Sequence, residues 1–159
     1  MADLEFPGYM EFFGDDYLGA YREAISPENA ELEAAFVQNV LGLPMGAEIL
    51  DLCCGHARHA VLLAKAGFKM TGLDLSQQYL EQAAKNAASA GVTLELVYSD
   101  MRQLPFEGRF DAVVNLFTSF GYLGGYLNSD AEDMKVLHQV LEVLKPGGKF
   151  LIDLINRDW

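Results

Sequence analysis

The stretch Glu48-Ile-Leu-Asp-Leu-Cys-Cys-Gly-His-Ala-Arg-His59 decides the fold. An apolar strand runs through an acid, Asp51, into a turn of small residues, and such a turn lets a ligand lie against bare backbone. From about Arg58 to Ala66 the chain reads as a helix whose first amides face the same spot, offering donors to anything negative or hydrogen-bond accepting. A second short apolar strand, beginning at Lys69, also ends in a carboxylate, Asp74, 19 positions after Gly55. Sites of βαβ type place an acid at that spacing to take the hydroxyls of a ribose. Together the two pieces point to an adenosine-containing ligand.

Outward from this centre, helical and extended periods alternate, the pattern of a parallel sheet covered on both faces. Upstream, Phe13, Tyr17 and Tyr21 recur every fourth residue and predict a helix over Tyr9 to Ile25. Ser26 and Pro27 supply an N-cap and a first-position proline for a helix through about Leu41, with Leu32, Phe36 and Val40 on one face. Downstream, a helix from Ser76 stops at Gly91, and Val92 to Tyr98 alternates as a third strand. Arg109 to Leu116 reads as the fourth strand, followed by a glycine-rich aromatic loop through Asn128. Ser129 with Glu132 forms a capping box for a helix to Leu144, and Lys145-Pro-Gly-Gly148 turns the chain into a fifth strand, Lys149 to Ile155.

Composition narrows the function. The 159 residues are 51% hydrophobic and 21% charged, with no repeat, which fits one domain with its own core. Twenty-three acids against eleven Lys and Arg give a net charge of -12, which repels polyphosphate backbones, so nucleic acid is not the expected partner. The apolar runs are strand-sized and the start lacks a basic region before an apolar one, so the expectation is no membrane span, no signal peptide and a cytoplasmic protein. The two cysteines are neighbours, a pairing that would strain a disulfide, and a reducing compartment suits them. No Gly-x-Gly-x-x-Gly follows the first strand, which disfavours a nicotinamide-dependent oxidoreductase, and no Gly-x-x-x-x-Gly-Lys phosphate loop or Ser-His-Asp order occurs.

From Glu48 onward the chain resembles the class I S-adenosylmethionine-dependent methyltransferases, and within them a bacterial small-molecule-type subgroup. Five features carry the resemblance in order: the Asp51 to Ala57 loop, Asp74, Asp100, Phe110-Asp-Ala-Val-Val-Asn115 and Leu144-Lys-Pro-Gly-Gly148. It implies a doubly wound Rossmann-like α/β fold with five parallel strands in order 3-2-1-4-5 and helices on both faces. Residues 1–45 would form a helical lid and residues 46–159 the core. The implied cofactor is S-adenosyl-L-methionine and the implied partner a small-molecule acceptor. Asp51, Cys53, Gly55 and Ala57 would floor the methionine moiety, with Cys53 and Ala57 standing where most relatives carry glycine and therefore requiring negative φ there. Asp74 would accept from both ribose hydroxyls, Leu75 would pack near the adenine, and Asp100 with Met101 would meet its edge and face. Tyr17 or Tyr21 and Arg58 would meet the methionine carboxylate, and Asn115 to Phe117 would border the ligand past strand four.

Each assignment has a structural rival. Asp74 could merely cap the next helix, Asp100 could close the turn before Met101, and His59 could pack against the sheet. Cys53, Cys54, His56 and His59 include zinc-ligand types, but adjacent cysteines point apart when extended, and no metal is expected. Arg58 is a cation at a helix start, unfavourable with the dipole, which argues that it meets something anionic. Relatives carry two strands beyond the fifth, so a partial chain is expected, with strand five an open apolar edge that predicts self-association. A noncatalytic cofactor-binding module is the alternative to a methyltransferase.

Overall fold

The computed structural model describes residues 25–121 and 125–154, with 125–130 as backbone alone. Among the described residues, four helices and five strands follow one another in the order α1 (Pro27–Leu41), β1 (Glu48–Leu52), α2 (Arg58–Lys65), β2 (Lys69–Asp74), α3 (Gln77–Ala90), β3 (Glu95–Tyr98), β4 (Phe110–Asn115), α4 (Gly125–Val143) and β5 (Leu144–Ile152). The strands form one parallel sheet in the order β3-β2-β1-β4-β5, the expected doubly wound arrangement. The order reverses between β1 and β4, and ligands of open α/β sheets gather at that switch point.

Side chains of alternate parity build the two cores. Ile49, Ala112 and Val114 face α1, α2 and α3, meeting Val37, Leu41, Ala60, Leu63 and Ala83. Leu50, Leu52 and Val113 face the other way, onto Val136, Val140 and Val143 of α4. Ser26 caps α1 as its sequence predicts, accepting from the Asn29 amide at 3.2 Å. The helix buries Ala30, Ala34, Val37 and Leu41, whereas Leu32, Phe36 and Val40 stand 71, 61 and 48% exposed. The apolar stripe read from sequence is thus the outer face, because the smaller residues let α1 lie close on α2.

Several boundaries move for local reasons. The first residues expected in β3 are taken by the end of α3: Gly91 adopts φ 69° and the Val92 amide bonds back to the Ala87 carbonyl at 3.1 Å, a Schellman closure. Helix α4 begins at Gly125, four residues before Ser129, because glycine is tolerated in a first turn whose amides are unbonded anyway. Ser129 therefore lies inside a helix rather than ahead of it, and Glu132 pairs with Arg102 and Lys135. Strand β5 starts early, at Leu144, with Pro146-Gly-Gly148 held in an irregularity between the pairs Phe110↔Leu144 and Ala112↔Lys149.

The amino-terminal ends of the strands are clamped by charge. Asp111 accepts from the Glu48 amide at 2.8 Å and from Lys145 Nζ at 3.0 Å, so its carboxyl lies below the usual range, chiefly through the amide. Arg109 pairs with Glu95 and lies over the Phe106 and Phe110 rings at 5.3 and 5.0 Å. None of these residues approaches the carboxyl edge where the sequence places its site.

Candidate active site

Register brings the predicted acids to one rim. Asp51 pairs with Gly72 and Val114, Leu52 with Leu73, and Asp74 with Tyr98, so Asp51, Asp74 and Asn115 all stand at carboxyl ends. The turn after β1 is closed by two bonds to β2: the Cys54 amide to the Leu73 carbonyl at 3.0 Å, and the Gly55 amide to Asp74 Oδ2 at 2.8 Å. Asp74 Oδ1 accepts from the Ser76 amide at 2.8 Å, so this carboxylate also orders the entry to α3, whose N-cap is Ser76. Burial raises its pKa despite those amides.

The turn itself corrects one expectation. Cys53 and Ala57 do not keep negative φ: they stand at 62° and 63°, in the left-handed region with Gly55 at 54°. Non-glycine residues there cost roughly 1 to 2 kcal/mol each. That conformation survives because the neighbouring contacts over-determine it. Ala57 is fully buried at the head of α2, its amide bonded to the Cys54 carbonyl at 2.9 Å. The Cys53 thiol meets Met101 Sδ at 3.5 Å. Cys54 fits only because β2 carries Gly72, where a Cβ would fall 2.8 Å from its sulfur. Burial pushes both thiols well above their ordinary range.

Asp51 is 2% exposed. The Ala60 amide serves its carboxyl, yet Oδ2 has no partner among the described residues. Burial first, then the nearby Asp74, raise its pKa from 3.8 to about 7, partly offset by Arg58. Asn115 is fully buried at the end of β4; its Nδ2 donates to the Leu52 carbonyl at 2.7 Å, and its Oδ1 has no partner among the described residues. Just beyond it Phe117 and Thr118 both take positive φ, 63° and 59°.

Arg58 meets an anion, as its place at a helix start predicts, but one that the chain supplies. Glu33 Oε2 on α1 accepts from Arg58 Nη1 at 2.6 Å and bonds His59 Nε2 at 2.7 Å. The guanidinium lies 4.8 Å from the Phe117 ring centroid, while Nη2 is buried without a partner among the described residues. Glu33 escapes sequence reading, since it is one of three acids on α1 and the other two, Glu28 and Glu31, are exposed. His59 packs as a buried α2 residue, its pKa lowered by burial.

At the far end of the rim, Asp100 closes the turn before Met101. Its Oδ1 accepts from the Arg102 amide at 2.8 Å, and its carboxylate receives Arg102 Nη2 at 2.6 Å, while Arg102 Nη1 reaches Glu132 on α4 at 2.8 Å. Those bonds outweigh burial and hold Asp100 below the usual range. Met101 is buried beside the turn and Leu75 is half-buried. Tyr17 and Tyr21 lie outside the described residues. Among the described residues no group of three or more His, Cys, Asp or Glu could hold a metal, and no helix is long and apolar enough to cross a membrane.

The chain as a whole is similar to known proteins. Residues 49–148 match the family model described as a methyltransferase domain. The protein YqeM of Bacillus subtilis (strain 168) is 38% identical over 113 residues, 70% of this chain and 44% of that one. Demethylmenaquinone methyltransferase of Clavibacter sepedonicus is 32% identical over 156 residues, 95% of this chain and 60% of that one. Among solved structures, S-adenosylmethionine-bound CalS10, an amino pentose methyltransferase from Micromonospora echinaspora, superposes with a TM-score of 0.73 at 29% identity, covering 91% of this chain and 58% of that one. The chain thus spans less than two thirds of the length of these relatives.

Proposed function

Because the chain belongs to the methyltransferase-domain family, we propose that it binds S-adenosylmethionine across the carboxyl edge of β1, β2 and β3 and directs its methyl group to a small-molecule acceptor. The observation that carries this reading is the 2.8 Å bond between the Gly55 amide and Asp74. It sets the glycine turn against the second acid, where a nucleoside sugar can bridge them. Asp74 takes the ribose hydroxyls with the lone pairs that the Gly55, Ser76 and Leu75 amides leave free. Leu75, Asp100 and Met101 border the adenine, with the Met101 thioether against the ring face. Asp51 Oδ2, buried and unmatched among the described residues, faces the α-ammonium, and Arg58 Nη2, a buried donor, faces the α-carboxylate, with Tyr17 or Tyr21 as further contacts. Asn115 and Phe117 border the cofactor just past β4.

The cofactor supplies an activated methyl on a sulfonium. The chain needs only to hold acceptor, methyl and sulfur in line, and alignment of this kind contributes about 7 to 11 kcal/mol. No covalent nucleophile is required. His56 is a candidate base, since burial and then Arg58 lower its pKa and keep its ring neutral at pH 7.

Calorimetry tests the reading. S-adenosylmethionine and S-adenosylhomocysteine should bind and the nicotinamide cofactors should not. Asp74→Asn, which keeps one acceptor oxygen for the backbone, should weaken binding at least tenfold, consistent with loss of charge-assisted bonds of about 1.5 to 3 kcal/mol. Unchanged binding by that variant overturns the proposal. Binding without methyl transfer to any acceptor pool would leave a noncatalytic module.

A further inference from the structure

We infer that Glu33 of α1 is a positioning residue: it acts through Arg58 to aim one guanidinium nitrogen at the amino-acid end of the ligand. The inference rests on the cofactor reading above and adds to it a residue outside the sheet and its loops.

The guanidinium is fixed on two sides. Glu33 Oε2 holds Nη1 at 2.6 Å, and the Phe117 ring centroid lies 4.8 Å from the guanidinium carbon. The same carboxylate oxygen bonds His59 Nε2 at 2.7 Å, so Glu33 is itself held by the first turn of α2. What is left over is one donor, Nη2, buried with no partner among the described residues. An unmatched buried guanidinium N–H costs free energy unless something receives it. Asp51 lies close enough for Arg58 to act on it by charge, and it carries an unmatched buried acceptor, Oδ2. A free donor on a cation beside a free acceptor on an acid matches one chemical class, a zwitterionic α-amino acid group, with its carboxylate on Arg58 and its ammonium on Asp51. A flexible arginine would lose rotamer entropy on binding; Glu33 and Phe117 have already spent it. The anchoring acid comes from α1, so the packing of Ala34, Val37 and Leu41 sets where that nitrogen points.

The test compares two ligands that share the nucleoside and differ in the amino-acid end: S-adenosylhomocysteine and 5′-methylthioadenosine. Glu33→Gln should lower affinity for the first about tenfold and leave the second within twofold. In an Arg58→Met background, Glu33→Gln should produce no further loss. Glu33→Asp, too short to span both α2 residues, should behave like the Gln variant. Equal losses for both ligands, additive losses in the double variant, or no loss at all would overturn the role of Glu33 while leaving the cofactor reading intact. Failure of the unaltered chain to bind either ligand would overturn both.

Discussion

Replacing Asp51 by asparagine should make the protein more stable above neutral pH while weakening its hold on ligand. In the folded state the Asp51 carboxyl has its pKa raised from 3.8 to about 7, by burial and then by Asp74. A raised pKa means that the folded state keeps a proton the unfolded chain has released. Between those two values the folded form binds more protons, so stability from this group is fully present below pH 4 and is lost as pH rises towards 7. The slope is about 1.36 kcal/mol per pH unit for one proton, which gives roughly 2.5 kcal/mol between pH 5 and pH 7. The substituted amide keeps the oxygen that receives the Ala60 N–H and removes the titration. Urea denaturation of both proteins at pH 5, 6, 7 and 8 isolates the effect, because the other titrating groups are common to both and cancel on subtraction. The difference should grow in favour of the variant by about 2.5 kcal/mol from pH 5 to pH 7 and then level off. Parallel pH profiles would refute the reasoning, since they would mean that Asp51 is ionised in the folded protein at pH 5.

Gly72→Ala should cost about 1 to 3 kcal/mol in thermal denaturation, because its Cβ would meet Cys54 Sγ at 2.8 Å and Leu96 Cδ2 at 3.1 Å. Adding Cys54→Ala should recover most of that loss; no recovery would place the clash elsewhere. Arg109→Met should destabilise by about 1 kcal/mol, through lost contact with two aromatic rings and screened ion pairs, with no change in ligand affinity by calorimetry. Strand β5 has a neighbour on one side only among the described residues, so self-association through its outer edge is expected, and a clean monomer by light scattering at micromolar concentration would remove that expectation.

What the sequence discloses here follows from periodicity and punctuation. β1 is an apolar run carrying an acid near its end and β2 one ended by an acid, so their place beside one another, and the spacing from Gly55 to Asp74, can be read directly. Ser26, Pro27 and Gly91 mark helix ends by local chemistry, and all three do so in the fold. Features that depend on a distant partner cannot be read this way. Glu33 resembles Glu28 and Glu31 until α2 is packed against it. Gly72 looks like a strand defect until Cys54 is seated above it. The positive φ of Cys53 and Ala57 goes against side-chain preference and is imposed by the turn between β1, β2 and α2. The outward stripe of α1 misleads because hydrophobicity alone cannot tell a large exposed face from a small buried one.

The clamp of Glu48, Glu95, Arg109, Asp111 and Lys145 at one end of the sheet, and one side-chain oxygen each of Asp51 and Asn115 left without a partner among the described residues near the other, divide the labour of the domain. A library of random variants sorted once for thermal resistance and once for ligand capture should therefore yield two maps that barely overlap, one per rim. Engineering can then proceed on the two separately, hardening the scaffold from below without retuning what it holds above.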